Sequence, residues 1–139
     1  MKKQYIWRGI LGFLVIALAV LFICYFLPKR FLSDISADEV AAIEVFDGST
    51  GARFTLCDPD EIAAVVQSRQ EIRMRRNGLS VGHDGTRFHL RLTDAEGNEL
   101  ERLILNSEST VRDDPFFYRC DGGLPFSLLE ELEEIYATE

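Results

Sequence analysis

Histidine, cysteine and tryptophan are scarce in this 139-residue chain, with two, three and one of each. The two histidines, His83 and His89, have only Asp84 near them, and their spacing matches no metal-ligand geometry. No G-x-S-x-G elbow, H-E-x-x-H helix, phosphate-cradling glycine loop or EF-hand loop is present. The Asp-Gly pairs at Asp47-Gly48, Asp84-Gly85 and Asp121-Gly122 are turn formers first. A thiol nucleophile needs a base beside it, and the sequence sets neither histidine beside Cys57 or Cys120. These absences predict a protein that is not an enzyme and that holds no cofactor and no metal.

Lysine is absent after Lys29, and acidic residues are absent before residue 31. Residues 31–139 carry ten arginines against all 23 acidic residues, a net charge of −13. Nucleic-acid affinity comes largely from neutralising phosphates, so a domain of this balance is not expected to bind nucleic acid. Anionic headgroups should repel it on average as well. No repeat or low-complexity tract is present.

Residues 9–27 lack any charged residue, asparagine or glutamine. As a helix at 1.5 Å per residue this run spans about 28 Å, against a hydrocarbon core of about 30 Å. Unpaired backbone groups are costly in lipid, which favours that helix. Tyr5, Trp7 and Tyr25 fall where an interfacial aromatic belt would lie, and Lys29 and Arg30 can snorkel to headgroups. Residues 1–30 are therefore expected to anchor the chain in a bilayer through residues 9–27. Three rivals fit less well. A cleaved signal peptide would need a shorter apolar core, and the loose site at Ala17-Leu18-Ala19 would leave a hydrophobic new terminus. A lipoprotein would need a small residue before Cys24, which follows three bulky ones. A buried core helix would carry a polar stripe. Lys2, Lys3 and Arg8 precede the run and two basic residues follow it, so the positive-inside bias predicts a cytoplasmic N-terminus and an extracytoplasmic domain.

Residues 31–41 read as a tether in which Ser36 and Glu39 cap one turn, followed by an acidic globular domain over 42–139. Ala42–Asp47 and Ala52–Cys57 alternate around a glycine-containing turn, the pattern of a β-hairpin. Asp58-Pro59-Asp60-Glu61 predicts a helix start, running to about Arg69. Alternation over Glu71–Arg76, Thr86–Thr93 and Glu99–Leu105 predicts three more strands. The 94–98 turn would set Leu92 opposite Leu100 and Arg91 opposite Glu101. That register puts Leu103 and Leu105 on the arginine face, which calls for that face to be partly covered or for the strand to be bulged. Residues 110–120 suit one strand, or a pair broken at Pro115. From Leu124 a helix is expected, with Leu128, Leu129, Leu132, Ile135 and Tyr136 on its buried stripe. The fold class is α+β: an N-terminal membrane helix, then an antiparallel sheet of about five or six strands with two helices, in the order β-β-α-β-β-β(-β)-α.

Two sets of residues are candidate sites. Cys57 and Cys120 stand at strand ends, and an oxidising compartment would permit a disulfide. Their face parity argues against one unless a strand ends before its cysteine. Arg69, Arg73, Arg75 and Arg76 cluster within eight residues. If strand 71–76 neighbours strand 86–93, Arg73, Arg75, Arg87, His89 and Arg91 line one face. Such a patch could hold an anionic partner through bidentate contacts, the competing reading being pairing with nearby carboxylates. Together these features predict a tethered, non-enzymatic binding module at the cell envelope with an unidentified protein or envelope partner. A subunit of a larger membrane complex is the first alternative, and an envelope enzyme the second.

Overall fold

The structure is a computed structural model that describes residues 2–32, 34–67 and 72–137. Helix α1 spans Lys2–Phe26 and is long and apolar enough to cross a membrane. Almost all of its described surface is exposed, because only its C-terminal end meets the rest of the chain.

The strands are β1 (Lys29–Arg30), β2 (Ala42–Asp47), β3 (Arg53–Leu56), β4 (Arg73–Leu79), β5 (Phe88–Thr93), β6 (Glu99–Ser107), β7 (Thr110–Asp113) and β8 (Phe116–Asp121). They form one antiparallel sheet in the order β1-β4-β8-β7-β6-β5-β2-β3. Among the described residues two α-helices follow α1: α2 (Pro59–Val66) and α3 (Phe126–Tyr136). The α+β class and the N-terminal apolar helix are as the sequence predicts. The strand count is higher, because residues 110–121 form a hairpin and Lys29–Arg30 adds a short edge strand. The peptide bond between Asp114 and Pro115, in that hairpin's turn, is cis.

One face of the sheet is the core face. Ile43, Val45, Phe54, Leu56, Phe88, Leu90, Leu92, Leu103, Leu105 and Val111 alternate inward and meet Ile62, Val65 and Val66 of α2 and Leu129 and Leu132 of α3. Alternation has a period of two, so every second residue of these strands is left on the opposite face. Asp58 caps α2, its Oδ1 accepting from the amides of Asp60 at 2.8 Å and Glu61 at 3.4 Å. The helix closes at Val66, and Arg69, its expected end, lies outside the described residues, as does Glu71. Ile135 was expected on the buried stripe of α3 but is 60% exposed.

Two expectations are corrected. Residues 31–41 are not a free tether: Phe31, Leu32, Ile35 and Val40 are buried in the core. Phe31 also donates its amide to Ile72, so the chain enters the domain within a few residues of the end of α1. Burying these large apolar side chains removes them from water, which favours their packing against the sheet. The β5–β6 register is also corrected. Leu92 faces Glu101 and Arg91 faces Arg102, with a bulge before Thr93. One extra residue flips the rest of β6, so Leu103 and Leu105 join the core. Gly48, in the β2–β3 turn, is held by a close approach. A β-carbon there would stand 2.6 Å from the Thr86 carbonyl oxygen.

Candidate functional site

The face opposite the helices carries most of the domain's arginines. Strand parity and register place Arg73 and Arg75 (β4), Arg119 (β8), Arg112 (β7), Arg102 (β6), Arg91 (β5) and Arg53 (β3) on it. Seven of the ten arginines in a domain of net charge −13 thus share one sheet face. No helix covers it. The segment between β4 and β5 lies over part of it. The His83 ring meets the Phe117 ring edge-on at 5.4 Å, and the His83 carbonyl accepts from Arg112 at 2.8 Å.

Some of the positive charge is answered. Arg91 donates to Glu99 at 2.8 Å and to both oxygens of Glu44 at 3.2 and 3.1 Å. Arg102 donates to the same Glu99 oxygen at 2.7 Å, Arg112 pairs with Asp114 at 2.7 Å, and Arg75 lies 3.7 Å from Asp121. Hydrogen bonds from Arg102 and then Arg91 hold the Glu99 carboxyl below the usual range. Seven cations meet four carboxylates, Glu44, Glu99, Asp114 and Asp121. Among the described residues Arg53, Arg73 and Arg119 have no carboxylate partner, and Arg53 instead lies 4.2 Å over the Phe46 ring.

At the β2–β3 side this face forms a groove of about 460 Å³, lined in part by Glu44, Phe46, Arg53, His89, Arg91 and Arg102. His89 sits in its floor, with Nε2 2.7 Å from Thr86 Oγ1 and its ring 5.4 Å from Phe46. Burial, then Arg112 and Arg53, pushes the His89 pKa down, so the ring is neutral at neutral pH. The groove offers forked donors beside the flat rings of Phe46 and His89, a chemistry that suits carboxylates on an extended chain.

The predicted patch is therefore rearranged. Arg73, Arg75, His89 and Arg91 do share a face, but β8, β7 and β6 stand between β4 and β5. Four strand spacings put the two pairs roughly 19 Å apart along the sheet. Arg69 lies outside the described residues. Arg87 leaves the face altogether. It turns to the helix side, 3.0 Å from Asp47, with Glu130 at 3.4 Å and Glu133 at 3.9 Å. Arg53, Arg102, Arg112 and Arg119 were missed. The alternation of Arg102 with Leu103 was visible, but only the bulge and the strand order place it.

Cys57 and Cys120 are both free, Cys57 exposed and Cys120 buried. They lie at and beyond the ends of strands five spacings apart, roughly 24 Å along the sheet, which no disulfide spans. Burial, then the Asp121 charge, pushes the Cys120 thiol up to about 11. Among the described residues no group of three or more histidine, cysteine, aspartate or glutamate side chains could hold a metal ion. No protein family, curated protein or solved structure matches the chain.

Proposed function

We propose that the chain is a single-pass membrane protein, N-terminus in the cytoplasm, whose extracytoplasmic domain is a non-enzymatic binding module for an acidic segment of a protein partner. The observation that carries this reading is the segregation of charge. A domain with a large acidic excess keeps seven arginines on the sheet face opposite its helices, three more cations than the carboxylates paired with them there. Arginine forks match carboxylates in pairs, and Phe46 and His89 supply flat contact surface in the groove. The acidic remainder of the surface repels the same ligand elsewhere, which confines it to this face. Tethering by α1 raises the local concentration of the module near membrane partners.

Photo-crosslinking of the full chain in its native membrane tests the reading. A crosslinker at Thr55, exposed on the open face, should capture the partner, and one at Glu131, exposed on α3, should not. Arg53→Glu together with Arg102→Glu should abolish capture at Thr55 while Cys120 stays protected from alkylation. Equal capture at both positions, or capture indifferent to charge reversal, overturns it.

A further inference from the structure

The anchor does not simply lead into the domain; its last turn is clamped to one end of the sheet. The Tyr25 ring meets the Phe116 ring edge-on at 5.8 Å. The Arg76 guanidinium lies 4.9 Å from the Tyr25 ring and 4.6 Å from the Phe116 ring, and Nη1 donates to the Tyr25 carbonyl at 3.4 Å. A cation on a carbonyl of the last helical turn also suits the negative end of the helix.

This clamp fixes the depth of the neighbouring backbone. Tyr25 lies within the apolar run 9–27, near its end, where an interfacial tyrosine belongs. Phe116 is beside it, and Leu79 is the register partner of Phe116 on β4. Strand β1 runs from Lys29 to Arg30 opposite Met74 and Arg73. Antiparallel to it, β4 returns from Arg73 toward the anchor and ends at Leu79. The tip of β4 therefore sits level with the last turn of α1.

At that level the surface carries two exposed apolar side chains. Among the described residues outside the helices, Leu79 at 60% and Val81 at 73% are the most exposed large hydrophobic side chains of the domain. They are two residues apart and next to the clamp. The carboxylates of the adjacent β7–β8 turn are each answered, Asp113 by Lys29 at 3.3 Å and Asp114 by Arg112 at 2.7 Å. They therefore do not set unpaired negative charge against the headgroups.

We propose that the tip of β4, through Leu79 and Val81, rests in the lipid interface beside the anchor, so that the domain sits on the bilayer in one orientation. The partner of this surface is the lipid itself, at the boundary of headgroups and acyl chains. The inference rests on α1 being embedded in lipid.

The test uses the full chain with Trp7→Phe, which removes the single native tryptophan. It is reconstituted in phosphatidylcholine–phosphatidylglycerol vesicles, with one reporter introduced as Val81→Trp, Leu79→Trp or Ser109→Trp. Ser109 lies in the β6–β7 turn, where its carbonyl accepts from Cys120, four residues along β8 from Phe116. Flotation with the vesicles after alkaline washing reads the anchor. Emission maximum and quenching by nitroxide lipids read the tip. Tryptophan at 81 and 79 should emit to the blue and be quenched about twofold more strongly by lipid than tryptophan at 109. A chain that floats while all three reporters behave alike overturns the tip contact alone. A chain that does not float removes the anchor reading and this one with it.

Discussion

The Arg87 guanidinium lies 3.0 Å, Nε to Oδ2, from an Asp47 carboxylate with no exposed surface. Neither of these two atoms has a well-aligned hydrogen-bond partner, so charge rather than hydrogen-bond geometry holds them. The other Asp47 oxygen accepts from the Ser49 amide at 2.6 Å, and Thr50 Oγ1 donates to Glu133 on α3 at 2.7 Å. The cluster fastens the β2–β3 turn to α3.

Removing one partner should therefore leave a buried charge unanswered. Arg87→Met is expected to cost about 3 kcal/mol, the low end of the range for a broken buried pair because Arg87 is partly exposed. Asp47→Asn should cost less in the Arg87→Met background than alone. Urea titration of the full chain in nonionic detergent, read by alkylation of Cys120, measures both. Additive costs would show that the two residues do not interact.

The same carboxylate sets an acid limit. Burial alone would raise the Asp47 pKa. The hydrogen bond from the Ser49 amide and the Arg87 charge more than offset this and hold it below the usual carboxylate range. The folded chain thus keeps Asp47 ionised where the unfolded chain, with a pKa of about 3.9, takes up a proton. Its contribution is present above that value and is lost as pH falls through the folded value. The urea midpoint should drop more steeply below about pH 4 in the native chain than in Asp47→Asn. Parallel pH profiles would remove Asp47 from the account.

Thiol chemistry should separate the two domain cysteines. Cys57 is exposed, while Cys120 is buried with its thiol raised to about 11. Brief iodoacetamide treatment at neutral pH should modify Cys57 and spare Cys120 until the chain is unfolded. Non-reduced mass should show no intramolecular bridge. A bridge between Cys57 and Cys120 in the folded chain would contradict the strand order itself.

The β6 bulge decides which leucines are core. Leu103 is buried opposite Leu90, whereas Leu100 lies at the bulge and stays partly exposed. Leu103→Ala is expected to cost roughly 2–5 kcal/mol, and Leu100→Ala well under half as much. The unbulged register would reverse that order, so the ratio of the two midpoints is a direct reading of the register.

Much of the domain follows from local chemistry. The Ala42–Asp47 strand, the Asp58 cap, the 94–98 turn and the leucine stripe of α3 all stand where alternation, capping and helical period put them. These signals act over a few residues. The site depends on strand neighbours. Arg73 and Arg91 look adjacent only if their strands pair, and residues 110–121 folded as a hairpin take up two of the three positions between them.

The sequence by itself determined that an uninterrupted apolar helix precedes an acidic α+β domain, because composition and period are local properties of the chain. Only the tertiary structure decided that seven arginines share the face opposite the helices, that Arg87 leaves them for Asp47, and that Leu79 pairs with the Phe116 that meets Tyr25. Each of those depends on long-range strand order, and the places of Arg102 and Leu79 depend also on a bulge in their own strands. A single inserted residue reverses every later side chain of a strand, and nothing in a short window of sequence marks where the sheet takes it up.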